Sequence, residues 1–154
     1  MSKSLITVGL FFTILACNPS SLNFDMVKLT DLEEKKTSLE QFRGDWVFLN
    51  FWASWCGPCV KEMPSMAVME KHFGGKLKVV TVSDETPEKI KKFKSNKVYP
   101  FQYLKLEGRH QDIGIFSIPQ SYLLNPKGEI VESFSGDKDW ASPENLNLIG
   151  SLLK

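Results

Sequence analysis

The chain is poor in metal-ligating side chains, with three cysteines and two histidines among its 154 residues. A structural zinc site needs four ligands, and these commonly come as two closely spaced pairs. Only one such pair is present, at Cys56 and Cys59. The composition therefore gives little support to a zinc-binding fold.

Long blocks of like charge are also missing. The chain carries 19 basic and 18 acidic side chains, for a formal net charge of +1, so nothing argues for a nucleic-acid partner. Aromatic residues make up 12% of the chain, which favours a packed core over disorder. The length suits one domain.

The longest apolar run, residues 5–16, is too short to cross a bilayer, which takes roughly 20 residues. It follows Lys3 and ends on a small residue, Ala16, as an export signal does. Residues 14–17, Ile-Leu-Ala-Cys, resemble the bacterial lipoprotein box, whose cysteine becomes lipidated. The alternative is an ordinary N-terminal strand or helix in which Cys17 is incidental.

We therefore expect a signal peptide over residues 1–16, a tether over 17–23 that begins at a lipidated Cys17, and a domain over 24–154. The tether, six residues beyond the cysteine, would reach at most about 20 Å when extended. If Cys17 carries lipid, Cys56 and Cys59 remain as a working pair. The domain must then be held together by core packing rather than by structural disulfides.

That pair is the most informative feature of the chain. Residues 55–59 read Trp-Cys-Gly-Pro-Cys and follow an apolar run, 47–52, that predicts a buried strand. A helix is predicted to begin after Pro58, so Cys56 would lie at a helix N-terminus, where a thiolate is favoured. We predict that Cys56 is the thiol that attacks in disulfide exchange and that Cys59 resolves the resulting mixed disulfide. Half of a zinc site and a structural disulfide are the alternatives, although a bridge across so short a loop constrains the unfolded chain little.

Other patterns indicate alternating strands and helices and hence an α/β fold. Glycines at 74 and 75 end the first helix, whose methionine-rich face suits either core packing or partner docking. The predicted elements are an edge strand at 25–30, a helical turn at 39–42, strands at 47–52 and 77–82, helices at 58–73 and 87–95, a hairpin of 121–124 with 129–134, and a helix from 143 to 153.

Two segments resemble thioredoxin-fold proteins. Residues 51–59 are similar to the active-site segment of that fold, and residues 117–124 to the segment that carries its cis-proline. The spacing of these segments and the turn at 125–128 resemble the TlpA/ResA-like branch of membrane-tethered thiol–disulfide oxidoreductases. The resemblance covers about 24–154. It implies a three-layer α/β sandwich with a central mixed sheet flanked by helices.

The resemblance also implies roles for individual residues. The Ile118–Pro119 bond would be cis and would lie against the CxxC pair, where an extended substrate can dock beside it. Gly57 and Pro58 would line the same groove. Trp55, next to Cys56, would offer the substrate an apolar surface.

Glu62 lies three residues after Cys59, so one helical turn would bring its carboxylate near that thiol. A glutamate at this position resembles the one that is linked to proton transfer at the active site in the ResA-like branch. The alternative is that Glu62 is an ordinary acidic residue on the helix surface. Asn50 stands where many thioredoxins carry a buried aspartate, and it cannot titrate. This difference favours Glu62, or water, as the proton acceptor.

The resulting prediction is an extracytoplasmic, monomeric oxidoreductase without a bound cofactor. Its partners would be protein thiols and disulfides, such as apocytochrome c or a copper-site protein, and a membrane electron donor. The alternatives are a disulfide oxidant or isomerase, a pure interaction module, and a copper carrier that uses His110 with the two cysteines. A peroxidase would need a lone cysteine in a Thr/Pro-rich turn, which the sequence lacks.

Overall fold

The computed structural model describes residues 26–154. Seven strands form one mixed sheet: β1 (Leu29–Thr30), β2 (Lys36–Thr37), β3 (Trp46–Phe51), β4 (Leu77–Ser83), β5 (Gln102–Leu106), β6 (Gln120–Leu124) and β7 (Ile130–Ser135). The helices are α1 (Gly57–His72), α2 (Pro87–Asn96) and α3 (Pro143–Leu152), with 3₁₀ turns at Leu39–Phe42 and His110–Ile113. Cys17 and the predicted signal peptide and tether lie outside the described residues.

The order of the strands across the sheet is β2-β1-β5-β4-β3-β6-β7. Strands β3, β4 and β5 run parallel, whereas β6 is antiparallel to β3 and β7 to β6. The wholly buried strand β3 lies near the centre, between β4 and β6. The predicted α/β sandwich with a mixed sheet is confirmed.

Alternation along β3 divides the core between the two faces of the sheet. Phe48 packs in a cluster with residues of all three α-helices, among them Met63, Ile90 and Ile149. Val47, Leu49 and Phe51 pack on the opposite face. Within residues 26–154, the elements that cover this face include the 3₁₀ turns, through residues such as Ile113, whereas the apolar residues of the three α-helices pack on the other face.

The methionine-rich face of α1 belongs to the core, because Met63, Met66 and Met69 are fully buried. The helix continues through Pro64, which is exposed, and ends at His72 just before two glycines with positive φ, Gly74 and Gly75. Of the two uses considered for this face, core packing is the one observed.

Two expectations about the first part of the sheet were wrong. The opening strand is only Leu29–Thr30, and β2 rather than β1 forms the sheet edge. The strand β5 and the 3₁₀ turn at His110–Ile113 were not predicted, since Pro100 and the polar residues 107–112 obscure a short half-buried strand.

No helix among the described residues combines the length and apolar character needed to cross a bilayer.

Candidate active site

Cys56 and Cys59 are joined in a disulfide at the start of α1, with a Cα–Cα distance of 5.3 Å. Cys56 is the N-cap residue, and Cys59 lies in the first turn. Strand β3 delivers Cys56 to this position, because it ends at Phe51 and a short turn separates it from the helix. Cys56 is 5% exposed and Cys59 is 0% exposed, so a partner approaching from solvent meets Cys56 first.

The helix N-terminus supplies the electrostatic environment of Cys56. The backbone N–H of Cys59 donates to the Cys56 sulfur at 3.2 Å. A helix N-terminus carries roughly half a positive charge. Both features favour a negative charge on the Cys56 sulfur, and hence its thiolate form once the disulfide is reduced.

The second wall of the site is the loop before β6. The Ile118–Pro119 peptide bond is cis, as the resemblance implies. The carbonyl oxygen of Ile118 lies 3.8 Å from the Cys56 sulfur, which brings together two segments 62 residues apart. Trp55, next to Cys56 in the chain, is 72% exposed, and Phe116, two residues before Ile118, is 80% exposed. Gly57 and Pro58 are exposed at the helix start.

Glu62 is buried rather than a surface acid, with only 2% of its surface exposed. Asn50 Nδ2 donates to one carboxylate oxygen at 2.9 Å. The other oxygen accepts from Trp140 Nε1 at 2.9 Å and from the backbone N–H of Lys138 at 3.3 Å. Three donors thus hold a carboxylate one helical turn beyond Cys59.

The alternation of β3 explains this pairing, because Asn50 shares the face of Phe48, against which α1 packs. Asn50 Nδ2 also donates to Ser121 Oγ at 2.9 Å, so it links α1 to the strand that follows Pro119. Asn50 therefore has a structural partner in Glu62, which its position in the sequence did not reveal.

Burial raises the pKa of the Glu62 carboxyl above its ordinary value, against the opposing effect of the hydrogen bonds from Trp140, Lys138 and Asn50. A crevice of about 470 Å³ leads to the residue from solvent and is lined by Lys61, Pro64, Ser65 and residues 137–139. Glu62 is therefore a buried titratable group with a route for proton exchange.

Sequence reasoning missed Trp140 and the Lys138 amide. Both lie in the segment between β7 and α3, which carries no motif. Trp140 is fully buried, and it packs against Phe48 and Phe134. A tryptophan in a polar stretch before a helix was the only available signal, and it does not specify a partner.

His110 does not lie with the cysteines. It is buried, its ring contacts Phe51 edge-on at 5.9 Å, and its Nδ1 lies 3.3 Å from an Asp84 oxygen. Burial lowers the pKa of His110, with Asp84 acting in the opposite direction. Over residues 26–154, no three His, Cys, Asp or Glu side chains converge as metal ligands would. His72 is at the far end of α1 and exposed.

The sequence profile of the AhpC/TSA family matches residues 23–133. The chain belongs to this family. It is 37% identical over 113 residues to the thioredoxin-like protein YneN of Bacillus subtilis and 33% identical over 114 residues to the thiol-disulfide oxidoreductase ResA of Bacillus thuringiensis. These matches cover 70% and 71% of the chain and 66% of the length of each relative.

A solved thiol:disulfide interchange protein from a Bacteroides species has the same fold, with a TM-score of 0.69 and 24% identity. The match covers 82% of the chain and 85% of that protein. The thioredoxin-like fold that the resemblance implies is thus confirmed for this AhpC/TSA family member, and two of the proteins that it resembles are named for thiol–disulfide chemistry.

Proposed function

We propose that this protein is a thiol–disulfide oxidoreductase that reduces disulfides of other proteins. The observation that carries the proposal is the Cys56–Cys59 disulfide at a helix N-terminus, 3.8 Å from the carbonyl oxygen before a cis-proline. The thiolate is the nucleophile of disulfide exchange, and this environment favours it. Two of the proteins named above, ResA and the Bacteroides protein, are named for thiol–disulfide chemistry.

The reaction takes place in two exchanges. The Cys56 thiolate attacks one substrate sulfur, and the other substrate sulfur leaves as a thiolate. Cys59 then loses its proton and attacks the Cys56 sulfur, which re-forms the Cys56–Cys59 bond and releases the second substrate thiolate. Two electrons pass in total from the protein to its substrate, and the two released thiolates take up protons from solvent.

The second exchange requires a proton acceptor for Cys59, whose side chain is fully buried. Glu62 is our proposed acceptor, because its carboxylate lies one helical turn away and burial raises its pKa above the ordinary value. The crevice beside it offers a path for the proton to solvent. Asn50, Trp140 and the Lys138 amide would hold the carboxylate in place.

The substrate would bind as an extended segment along the loop that precedes Pro119, where residues 116 and 117 are exposed and Ile118 is half-buried. Trp55, Gly57 and Pro58 would form the opposite wall. Trp55, next to Cys56, and Phe116, two residues before Ile118, are exposed apolar side chains, which suits a polypeptide with apolar residues around its cysteine.

We further propose that the protein acts outside the cytoplasm, anchored by lipid on Cys17 and recharged by a membrane electron donor. Support comes from the sequence of residues 1–17, with residues 17–23 as a short tether. Apocytochrome c and copper-site proteins are the substrate classes that the ResA-like resemblance implies.

If lipid on Cys17 anchors the protein, replacement of this cysteine should release the protein from the membrane. Full-length protein expressed in a bacterium should fractionate with membranes and carry a lipid mass, because a lipid chain partitions into the bilayer. The Cys17→Ala variant should appear without lipid, and a Cys59→Ala variant is the matched control that keeps the anchor. Equal fractionation of wild type and Cys17→Ala would contradict lipidation at this residue.

The reduction potential of the Cys56–Cys59 pair tests the proposed direction of transfer. We expect residues 24–154, equilibrated with dithiothreitol buffers, to show a potential near or below about −270 mV, the value of a reductant. A value between about −120 and −180 mV would instead identify a disulfide oxidant or isomerase. Failure of the wild-type pair to exchange with any dithiol would refute redox activity altogether.

A further inference from the structure

Two consecutive acidic residues, Asp84 and Glu85, directly follow β4, and each is bonded to a different wall of the active site. Glu85 is buried, and its carboxylate accepts from the backbone N–H of Ser54 at 2.6 Å and from the Ser54 hydroxyl at 2.8 Å. Ser54 lies two residues before Cys56. Glu85 thus anchors the loop before Cys56 through two hydrogen bonds to Ser54.

Asp84 holds the other wall through His110. The backbone N–H of His110 donates to Asp84 Oδ2 at 3.2 Å, and the His110 Nδ1 lies 3.3 Å from the same oxygen. The carbonyl of His110 in turn accepts from the N–H of Ile115 at 3.0 Å. Phe116 and Ile118 come next in the chain, so this contact fixes the start of the cis-proline loop.

The base of this arrangement is rigid. Strand β4 lies inside the sheet, between β3 and β5, and its residues 79–83 are buried. Ser83, the last residue of β4, stabilises the turn that follows it, because its hydroxyl accepts from the Glu85 N–H at 3.2 Å. Hydrogen bonds to charged acceptors are stronger than neutral ones. The end of β4 is therefore a fixed point from which both loops are held.

We propose that Asp84 and Glu85 are positioning residues that set the separation of the CxxC loop and the cis-proline loop, and that polypeptide substrates depend on them more than small disulfides do. A polypeptide must contact both loops at once, whereas a small disulfide needs only the Cys56 sulfur. Displacement of a reacting group by about 1 Å can cost on the order of 100-fold in rate. The inference rests on the proposed function and specifies its substrate class.

The test compares two disulfides on the same pre-reduced protein. Rate constants for its oxidation by insulin and by 5,5′-dithiobis(2-nitrobenzoic acid) are measured by stopped flow for wild type, Asp84→Ala and Glu85→Ala. We expect the insulin rate constant to fall about tenfold in each variant and the small-disulfide rate constant to change less than twofold. The ratio of the insulin rate constant to the small-disulfide rate constant cancels any effect that the lost charge has on the reactivity of Cys56.

Conservative variants and a matched control complete the design. Glu85→Gln and Asp84→Asn keep an acceptor oxygen and should restore much of the ratio. Glu70→Ala is the control, since Glu70 is a half-buried carboxylate on α1 that accepts a backbone N–H, that of Val79 at 2.8 Å, about 20 Å along the helix from Cys56. Its ratio should equal that of wild type.

Equal losses with both disulfides, or no loss with either, would overturn the positioning role. If the alanine variants do not fold, Ser54→Ala carries the test, because it removes the 2.8 Å bond and keeps the backbone one. A lower ratio then supports the inference and an unchanged ratio refutes it. Wild-type protein that reacts with neither disulfide would refute the proposed function itself, so the two failures are distinguishable.

Discussion

Replacement of Cys59 by serine is expected to trap the protein as a one-to-one mixed disulfide with its substrate. Cys56 remains able to attack, because it caps α1 and faces the groove. A serine hydroxyl does not attack the resulting bond at neutral pH, so the second exchange stops. Turnover should fall to the background rate.

Non-reducing electrophoresis and intact-mass measurement with insulin as substrate would detect the adduct. Cys56→Ser is the matched control, and we expect it to give neither turnover nor adduct, because the buried Cys59 cannot reach an incoming disulfide. An adduct on Cys59 in the Cys56→Ser variant, together with none in Cys59→Ser, would reverse the roles of the two thiols.

Replacement of Glu62 by glutamine should slow the second exchange by on the order of 100-fold, the lower end of what a positioned proton acceptor contributes. It should also lower the pKa of the Cys59 thiol, because a neighbouring carboxylate disfavours a second negative charge. Thiol titration of the reduced protein and rapid mixing with a mixed-disulfide substrate would measure both effects. An unchanged thiol titration would remove Glu62 from the mechanism.

The same variant should change how stability depends on pH. Burial raises the folded-state pKa of Glu62 above the value of 4.5 that applies to an unfolded chain, so the folded protein binds more protons between these two values. This stabilisation is complete below about pH 4.5 and is lost as pH rises through the folded-state pKa. The free energy of unfolding of Glu62→Gln, relative to wild type, should therefore increase with pH across that window.

Two further variants separate the effect of Glu62 on stability from its effect on the second exchange. Glu70→Gln removes another α1 carboxyl whose pKa burial raises, so it should share the trend in stability without altering the thiols. Trp140→Phe removes the indole N–H that donates to Glu62 while keeping most of the packing with Phe48. It should raise the Glu62 pKa further and shift the pH profile of the second exchange in the alkaline direction.

The sequence alone was sufficient for the parts of the protein that local spacing encodes. The strand before Cys56, the helix after Pro58, the helix that Pro87 begins and the final hairpin all occur within a residue or two of their predicted positions. Each depends on periodicity, caps and turn residues that are close together in the chain. The CxxC pair and the segment with Pro119 were likewise recognisable from the sequence, and the fold brings them together.

Only the tertiary structure decided what surrounds the site. Glu62 and Trp140 are 78 residues apart, and Ser54 and Glu85 are 31 apart. His110 stands in a polar stretch of sequence, yet its side chain is buried against Phe51. The short strand β5 is stabilised by its neighbours β1 and β4 rather than by its own sequence. A buried charge or a short strand is stable only through partners distant in the chain, and local patterns do not record them.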